Sequence, residues 1–172
     1  MRNSPFEVRF LPIDIERHAE LCVEFRRDSF VCSFGTDAAF ERDGGAEGYL
    51  AWLRARAKEV PEGIVHVWRG ERIVGQLEMR VRAEPYSGYV NLFYLVPGER
   101  GSGLGADLFR YTVRVFERRG VSCLRLSVSP TNARALKYYE KCGFSNLGPA
   151  FPGAPVHTME LLIKDERARE RA

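Results

Sequence analysis

The stretch that decides the fold is Tyr94-Leu95-Val96-Pro97-Gly98-Glu99-Arg100-Gly101-Ser102-Gly103-Leu104-Gly105-Ala106. It reads as an apolar strand, a tight glycine-rich turn and the first turn of a helix. Four glycines fall within the eight positions from Gly98 to Gly105. They let the backbone approach a ligand and take positive φ where a side chain would clash. A helix starting near Gly103 presents unpaired N–H groups and the positive end of its dipole, a natural seat for a phosphate. Arg100 adds a permanent charge with five donors, suited to phosphate oxygens.

Two familiar phosphate loops do not fit. A dinucleotide-binding fingerprint needs G-x-G-x-x-G in an early βαβ unit and an acid about 20 residues on. The positions from Leu124 to Val128 hold no acid, and no Gly-Lys pair occurs for a Walker loop. A glycine-rich surface turn that binds nothing stays open at this point.

Working outward, the chain has 172 residues, enough for one domain over residues 1–164 with a charged tail at 165–172. Hydrophobic content of 45% supports a real core, and the net charge of +3 is a mild bias. Basic residues are interleaved with acids, so the composition does not mark a nucleic-acid binder. Cys22, Cys32, Cys123 and Cys142 form no C-x-x-C pair. Their spacing suits reduced, mostly buried thiols and neither a metal site nor a disulfide framework. No run approaches the roughly 20 apolar residues of a membrane span, and the N-terminus has no apolar signal core. The expectation is a soluble, cytoplasmic protein without metal.

Phe6 to Leu11 alternates and reads as a strand. From Asp14 a helical stripe of Ile15, His18, Leu21, Cys22 and Phe25 follows, closed by Arg26-Arg27-Asp28-Ser29. The segment Phe30 to Gly45 reads as a loop. A second helix is expected from Ala46 to Glu59, with Tyr49, Leu50, Leu53 and Ala57 inward and Pro61 beyond its end. Ile64 to Trp68 and Ile73 to Val81 form a hairpin. In the second strand the odd positions are apolar or glycine and the even ones include Gln76, Glu78 and Arg80, so one core face and one polar face are expected. Tyr89 to Leu95 is apolar enough for burial on both faces. The helix from Gly103 carries Leu104, Leu108, Tyr111 and Val115, and Gly120 follows it. With Val121 to Val128 it completes a βαβ unit, which puts the glycine loop at the C-terminal end of a parallel strand. A short helix runs to Cys142, a strand begins at Phe144, and Val156 to Ile163 closes the sheet.

The second pattern is Asn132-x-x-Ala135-x-x-x-Tyr139-Glu140-Lys141-Cys142-Gly143-Phe144. It follows Arg100-x-x-Gly103-x-Gly105 in order, with one strand between. The pair resembles the acetyl-CoA loop and the downstream signature of the GNAT acetyltransferase superfamily, and covers Tyr94 to Phe144. The resemblance implies an α/β (α+β) fold, with a mixed, mostly antiparallel central sheet, a parallel βαβ unit and helices on both faces. It implies acetyl-CoA as co-substrate between two splayed strands. The backbone of Tyr94, Leu95 and Val96 would bind the pantetheine arm. N–H groups of Arg100, Gly101, Ser102, Gly103, Leu104 and Gly105 would hold the pyrophosphate. Asn132 would touch the cofactor, although a plain helix cap explains it equally.

The implied reaction is N-acetylation of a primary amine on a small molecule, amino-acid-like compound or peptide. The implied alternative is a CoA-binding sensor or structural module without transfer. Homodimer formation stays open. N–H groups near Val96 would face the developing oxyanion. Tyr139 would protonate the departing thiolate. Relatives often place a glutamate on the strand before the glycine loop. Val90 to Leu95 has none, so Glu78 is the candidate base and Asp28 a weaker second choice; a water chain could also do the task with no base residue at all. Glu78 reads equally as an exposed strand carboxylate paired with an arginine. For the acceptor, the aromatics between Phe30 and Phe40 beside Asp28 and Asp37 suggest an amine with an apolar body, or else core residues under a loop.

Overall fold

The computed structural model describes residues 7–163; the charged tail falls outside them. Strand β1 (Val8–Pro12) leads into helix α1 (Ile15–Phe34). Asp14 caps α1 by accepting from the Arg17 N–H at 3.1 Å, and Gly35 ends it in the left-handed region at φ 76°. The helix therefore does not close at Arg26 to Ser29. Those charged residues are not solvated stop signals, because each finds a partner on another element. Arg26 reaches Glu78, Arg27 reaches Asp37 and Glu41, and Asp28 reaches Arg100. Nor is the segment to Gly45 a loop throughout. It contains the short helix α2 (Ala38–Arg42), which buries Phe40. Helix α3 (Gly45–Glu59) then buries Tyr49 and Leu53 as expected.

A seven-stranded sheet follows, with β2 (Ile64–Arg69), β3 (Arg72–Arg82) and β4 (Ser87–Leu95) running antiparallel after β1. Helix α4 (Leu104–Arg118) crosses to β5 (Cys123–Val128), parallel to β4. Helix α5 (Ala133–Lys141) and strands β6 (Ser145–Pro149) and β7 (His157–Leu162) complete the order β1-β2-β3-β4-β5-β7-β6. The last strand does not close the sheet; it is inserted between β5 and β6.

The core lies on both faces of the sheet. Leu77, Met79, Leu108, Phe116, Leu124 and Leu126 pack together beneath α4. Ile15, Cys22, Phe40, Tyr49, Leu53 and Ile64 pack beneath α1 and α3. The expected polar face of β3 is therefore not wet: Gln76 and Glu78 are both 0% exposed. Alternation fixes which side chains share a face, but the helices above decide whether water reaches it.

Two irregularities position the site. Between β3 and β4, Glu78 faces Leu92 and Met79 faces Val90, which leaves Asn91 as an extra, bulged residue. Between β4 and β5 the register covers Gly88, Tyr89 and Val90. Beyond Val90 the two parallel strands part, and the fork opens toward the glycine loop.

Candidate active site

The fork leaves backbone polar groups of β4 unclaimed by β5. Val96 N–H donates to Val74 C=O at 2.9 Å. In an antiparallel ladder, alternate residues turn their N–H groups to opposite sides. The Phe93 and Leu95 N–H groups are thereby directed to the fork, and the N–H of Val96 is not. A donor near Val96 at the fork is therefore the Leu95 N–H and not that of Val96 itself. The Leu95 carbonyl is also engaged, accepting from Arg100 Nε at 2.8 Å.

Next comes the glycine loop. Its two charged residues are anchors. Glu99, almost buried, pairs with Arg69 at 2.7 Å. Arg100 folds back from the loop: Nη2 donates to Asp28 Oδ2 at 2.7 Å, and the guanidinium lies 5.5 Å from the Tyr94 ring. Tyr94 OH donates to the same Asp28 oxygen at 2.7 Å. Burial works against the Asp28 charge, yet the Tyr94 and Arg100 hydrogen bonds hold its carboxyl below the ordinary value. The Arg100 guanidinium is thus committed to α1, not aimed outward as the sequence suggested.

The donors left free in the loop belong to the backbone instead. The amides of Arg100, Ser102 and Ala106 bond to Pro97, Glu99 and Gly103 carbonyls. Among the described residues, those of Gly101, Gly103, Leu104 and Gly105 have no protein acceptor. Gly103 is the N-cap of the fifteen-residue α4, with φ 96° and no side-chain cap. A Cβ at Gly101 or Gly103 would meet nothing within 4 Å. So these glycines are required by their positive φ and leave open ground above the amides. Orphan donors at a helix N-terminus fit a pyrophosphate.

Helix α5 supplies the side chains at the far edge of the fork. Asn132 caps it, accepting from the Ala135 N–H at 3.1 Å, so the plain cap role is present. Tyr138 packs onto the cradle, and its OH donates to the Gly105 carbonyl at 2.6 Å. Tyr139 turns the other way, with its ring 6.0 Å from Phe93 and 5.7 Å from Phe144. Tyr139 is half-buried, and no hydrogen bond from its hydroxyl is formed within the described residues, where it is not a buried orphan either. Burial, and secondarily Cys142, raises the Tyr139 phenol above its ordinary value, so it holds its proton at neutral pH.

Residues 20–144 match the model of the acetyltransferase (GNAT) family. The chain belongs to the GNAT family. A mycothiol acetyltransferase of Catenulispora acidiphila is 33% identical over 90 residues, covering 49% of this chain and 29% of that one. This chain thus matches less than a third of that relative's length. Among solved structures, a PaiA N-acetyltransferase of Thermoplasma acidophilum in complex with coenzyme A superposes with TM-score 0.74 at 18% identity. It covers 91% of this chain and 99% of that one. An aminoglycoside acetyltransferase, AAC(6')-Ib, also in complex with coenzyme A, gives 0.65 at 20% identity, covering 97% and 98%. At these identities the likeness shows the GNAT fold.

In this GNAT chain Glu78 is not the exposed strand carboxylate that one reading of the sequence allowed. Oε1 accepts from Tyr49 OH at 2.5 Å and from Gln76 Nε2 at 2.8 Å. Gln76 Oε1 lies 3.0 Å from His66 Nε2, which is 3.6 Å from Cys22 Sγ. Oε2 has no hydrogen-bond partner and lies 3.4 Å from Arg26 Nη1. Arg26 also donates to the Asn91 carbonyl at 2.9 Å and so lies across the bulge. Burial pushes His66 down to about 4 and Cys22 up to about 12, and raises Tyr49 well above its usual value.

Sequence reasoning did not single out Arg26, Gln76 or His66, and took Tyr49 only as packing. The signal was present as Gln76 and Glu78 at alternating positions in the middle of β3, flanked by Leu77 and Met79. The aromatic pocket fares differently. Phe40 is core, Phe30 packs beside it, Asp28 is taken by Arg100 and Asp37 by Arg27. Those carboxylates are not free for a cationic acceptor.

Proposed function

We propose that this chain transfers an acetyl group from acetyl-CoA to a primary amine of a small molecule, amino-acid-like compound or peptide. The observation that supports it most is the row of unpaired amides at Gly101, Gly103, Leu104 and Gly105, set at the mouth of the β4–β5 fork. Acetyl-CoA, when bound, supplies an activated thioester. The cradle holds its pyrophosphate, and the fork-facing N–H of Leu95 supplies a donor beside the acyl arm.

Tyr139 is assigned as the general acid. Its hydroxyl is unpaired and protonated at neutral pH, and it stands on the helix that borders the fork. Glu78 is assigned as the proton acceptor through Oε2, since Oε1 is saturated by Tyr49 and Gln76. Arg26, 20% exposed, screens that oxygen and must shift for a water or amine to reach it. A module that binds CoA without transfer would have no use for an unpaired tyrosine at this position.

The test is steady-state thiol release from acetyl-CoA over an amine panel, with Tyr139→Phe beside the parent. The variant should keep CoA affinity and lose roughly 10²–10⁴ in kcat. An unchanged kcat with chemistry rate-limiting removes Tyr139 from the reaction.

A further inference from the structure

The face of the sheet beneath α1 and α3 carries a row of polar and charged side chains. Gln76, Glu78, Arg80 and Arg82 alternate along β3 toward the closed base of the fork. Tyr89 faces Arg80 across the ladder and stands on the same face. Most guanidiniums here have a carboxylate. Arg26 has Glu78 at 3.4 Å, Arg56 has Glu59 at 2.8 Å and Arg125 has Glu160 at 2.7 Å. Arg80 and Arg82 have no carboxylate within ion-pair distance among the described residues, although Glu59 on α3 is near enough to act on Arg80.

These two charges are nevertheless held together. The Arg80 guanidinium lies 5.0 Å and that of Arg82 3.7 Å from the Tyr89 ring centre. The ring is fixed by its own hydroxyl, which shares a 2.7 Å hydrogen bond with Ser127 Oγ on β5. Both arginines are half-buried. Arg80 Nε is buried without a hydrogen-bond partner, as are Arg56 Nε on the neighbouring helix and Asn91 Oδ1 in the bulge. Burial, and then the charge of Arg82, lowers Arg80 from its ordinary value. Like charges in a partly desolvated site repel unless an anion joins them. Two guanidiniums gathered at one ring bring fixed charge and several donors to the place a carboxylate would occupy.

The geometry points to an anion subsite at Arg80, Arg82 and Tyr89 that seats a carboxylate of the acetyl acceptor. This rests on the amine-acetylation reading above. Strand rise places Tyr89 about 10 Å from Leu92 and the open fork. The acceptor is therefore an amine whose carboxylate lies several bonds away, as in a short peptide, with the amine at the fork and the anion at its base. A cationic acceptor body is disfavoured at the same place.

The test uses the full chain with triglycine and its C-terminal amide, which share the amine and differ in the anion. Calorimetry on the CoA-loaded protein reads binding, and thiol release reads turnover. Triglycine should bind about tenfold more tightly than the amide. That preference should fall below about threefold in Arg80→Gln with Arg82→Gln, at parental CoA affinity, and be kept only in part in Arg82→Lys, which retains the charge but not the stacked guanidinium. Arg82→Gln alone serves if the double variant does not fold. Equal binding of acid and amide by the parent, binding of neither, or a preference that the glutamine variants keep overturns the subsite. Absent thiol release with every amine, beside an intact triglycine preference, sinks acetyl transfer and leaves the subsite standing.

Discussion

Acidification should weaken this protein through His66, and the size of the effect follows from the buried network. His66 is 1% exposed. Gln76 Nε2 donates to Tyr49 and Glu78, so Gln76 Oε1 faces His66 and accepts from its Nε2–H. That assigns a neutral tautomer. Adding a proton puts a second charge-bearing nitrogen in a dry site with the His18 ring centre 5.3 Å away. Burial is the main reason that the folded value is about 4, against 6.5 for the free side chain. The unfolded state therefore binds the extra proton first. Stability is fully present above the unfolded value and is lost as pH falls toward the folded one. At one pKa unit per 1.36 kcal/mol, the loss between pH 7 and pH 4.5 is about 2.5 kcal/mol. Urea unfolding of the parent and His66→Gln at those two pH values reads it. The parent should lose about 2.5 kcal/mol more than the variant. Equal losses would show that His66 titrates alike in the folded and the unfolded chain, and the dry, neutral ring assigned here would fall with that result.

Two further outcomes follow from contacts around the glycine loop. Gly105→Ala places a Cβ 2.9 Å from Tyr138 Cε2, so α5 must give way. A loss of about 1–3 kcal/mol is expected, less up to about 1 kcal/mol of helix propensity. Denaturant midpoints read it, and a variant as stable as the parent would refute the contact. Arg100→Gln leaves the partly exposed Asp28 with Tyr94 alone, at a cost of about 1 kcal/mol or less at pH 7. Because the folded Asp28 value is depressed, the gap between parent and variant should close as pH drops below the ordinary carboxylate range; a gap that ignores pH is the contrary result.

The parts of this fold that were legible in the sequence are those whose chemistry is local. The βαβ unit declares itself by a shift from strand to helical period, and the loop by glycines that the structure holds at φ 81° and 96°. The parts that were not legible depend on distant partners. Asp28 and Arg100 are 72 residues apart, and no local pattern says that they meet. Arg26 to Ser29 read as a helix end because four polar residues in a row normally face water. Here they lie where α1 passes over the β3–β4 bulge, and the helix continues to Phe34.

The same distance effect changes how the cofactor seat is understood. Read locally, Arg100 is a phosphate ligand and the glycines are its accessories. In the folded chain Arg100 and Glu99 fasten the loop to α1 and to β2, and the glycine amides are left as the donors. Neutral amide dipoles held by ion pairs behind them need little rearrangement when an anion arrives, which is the condition under which such donors are most effective. On the proposed reading of the loop as a pyrophosphate seat, the two ion pairs act through the position of the loop rather than through their charge. Removing either one should loosen the cradle even though neither touches the ligand.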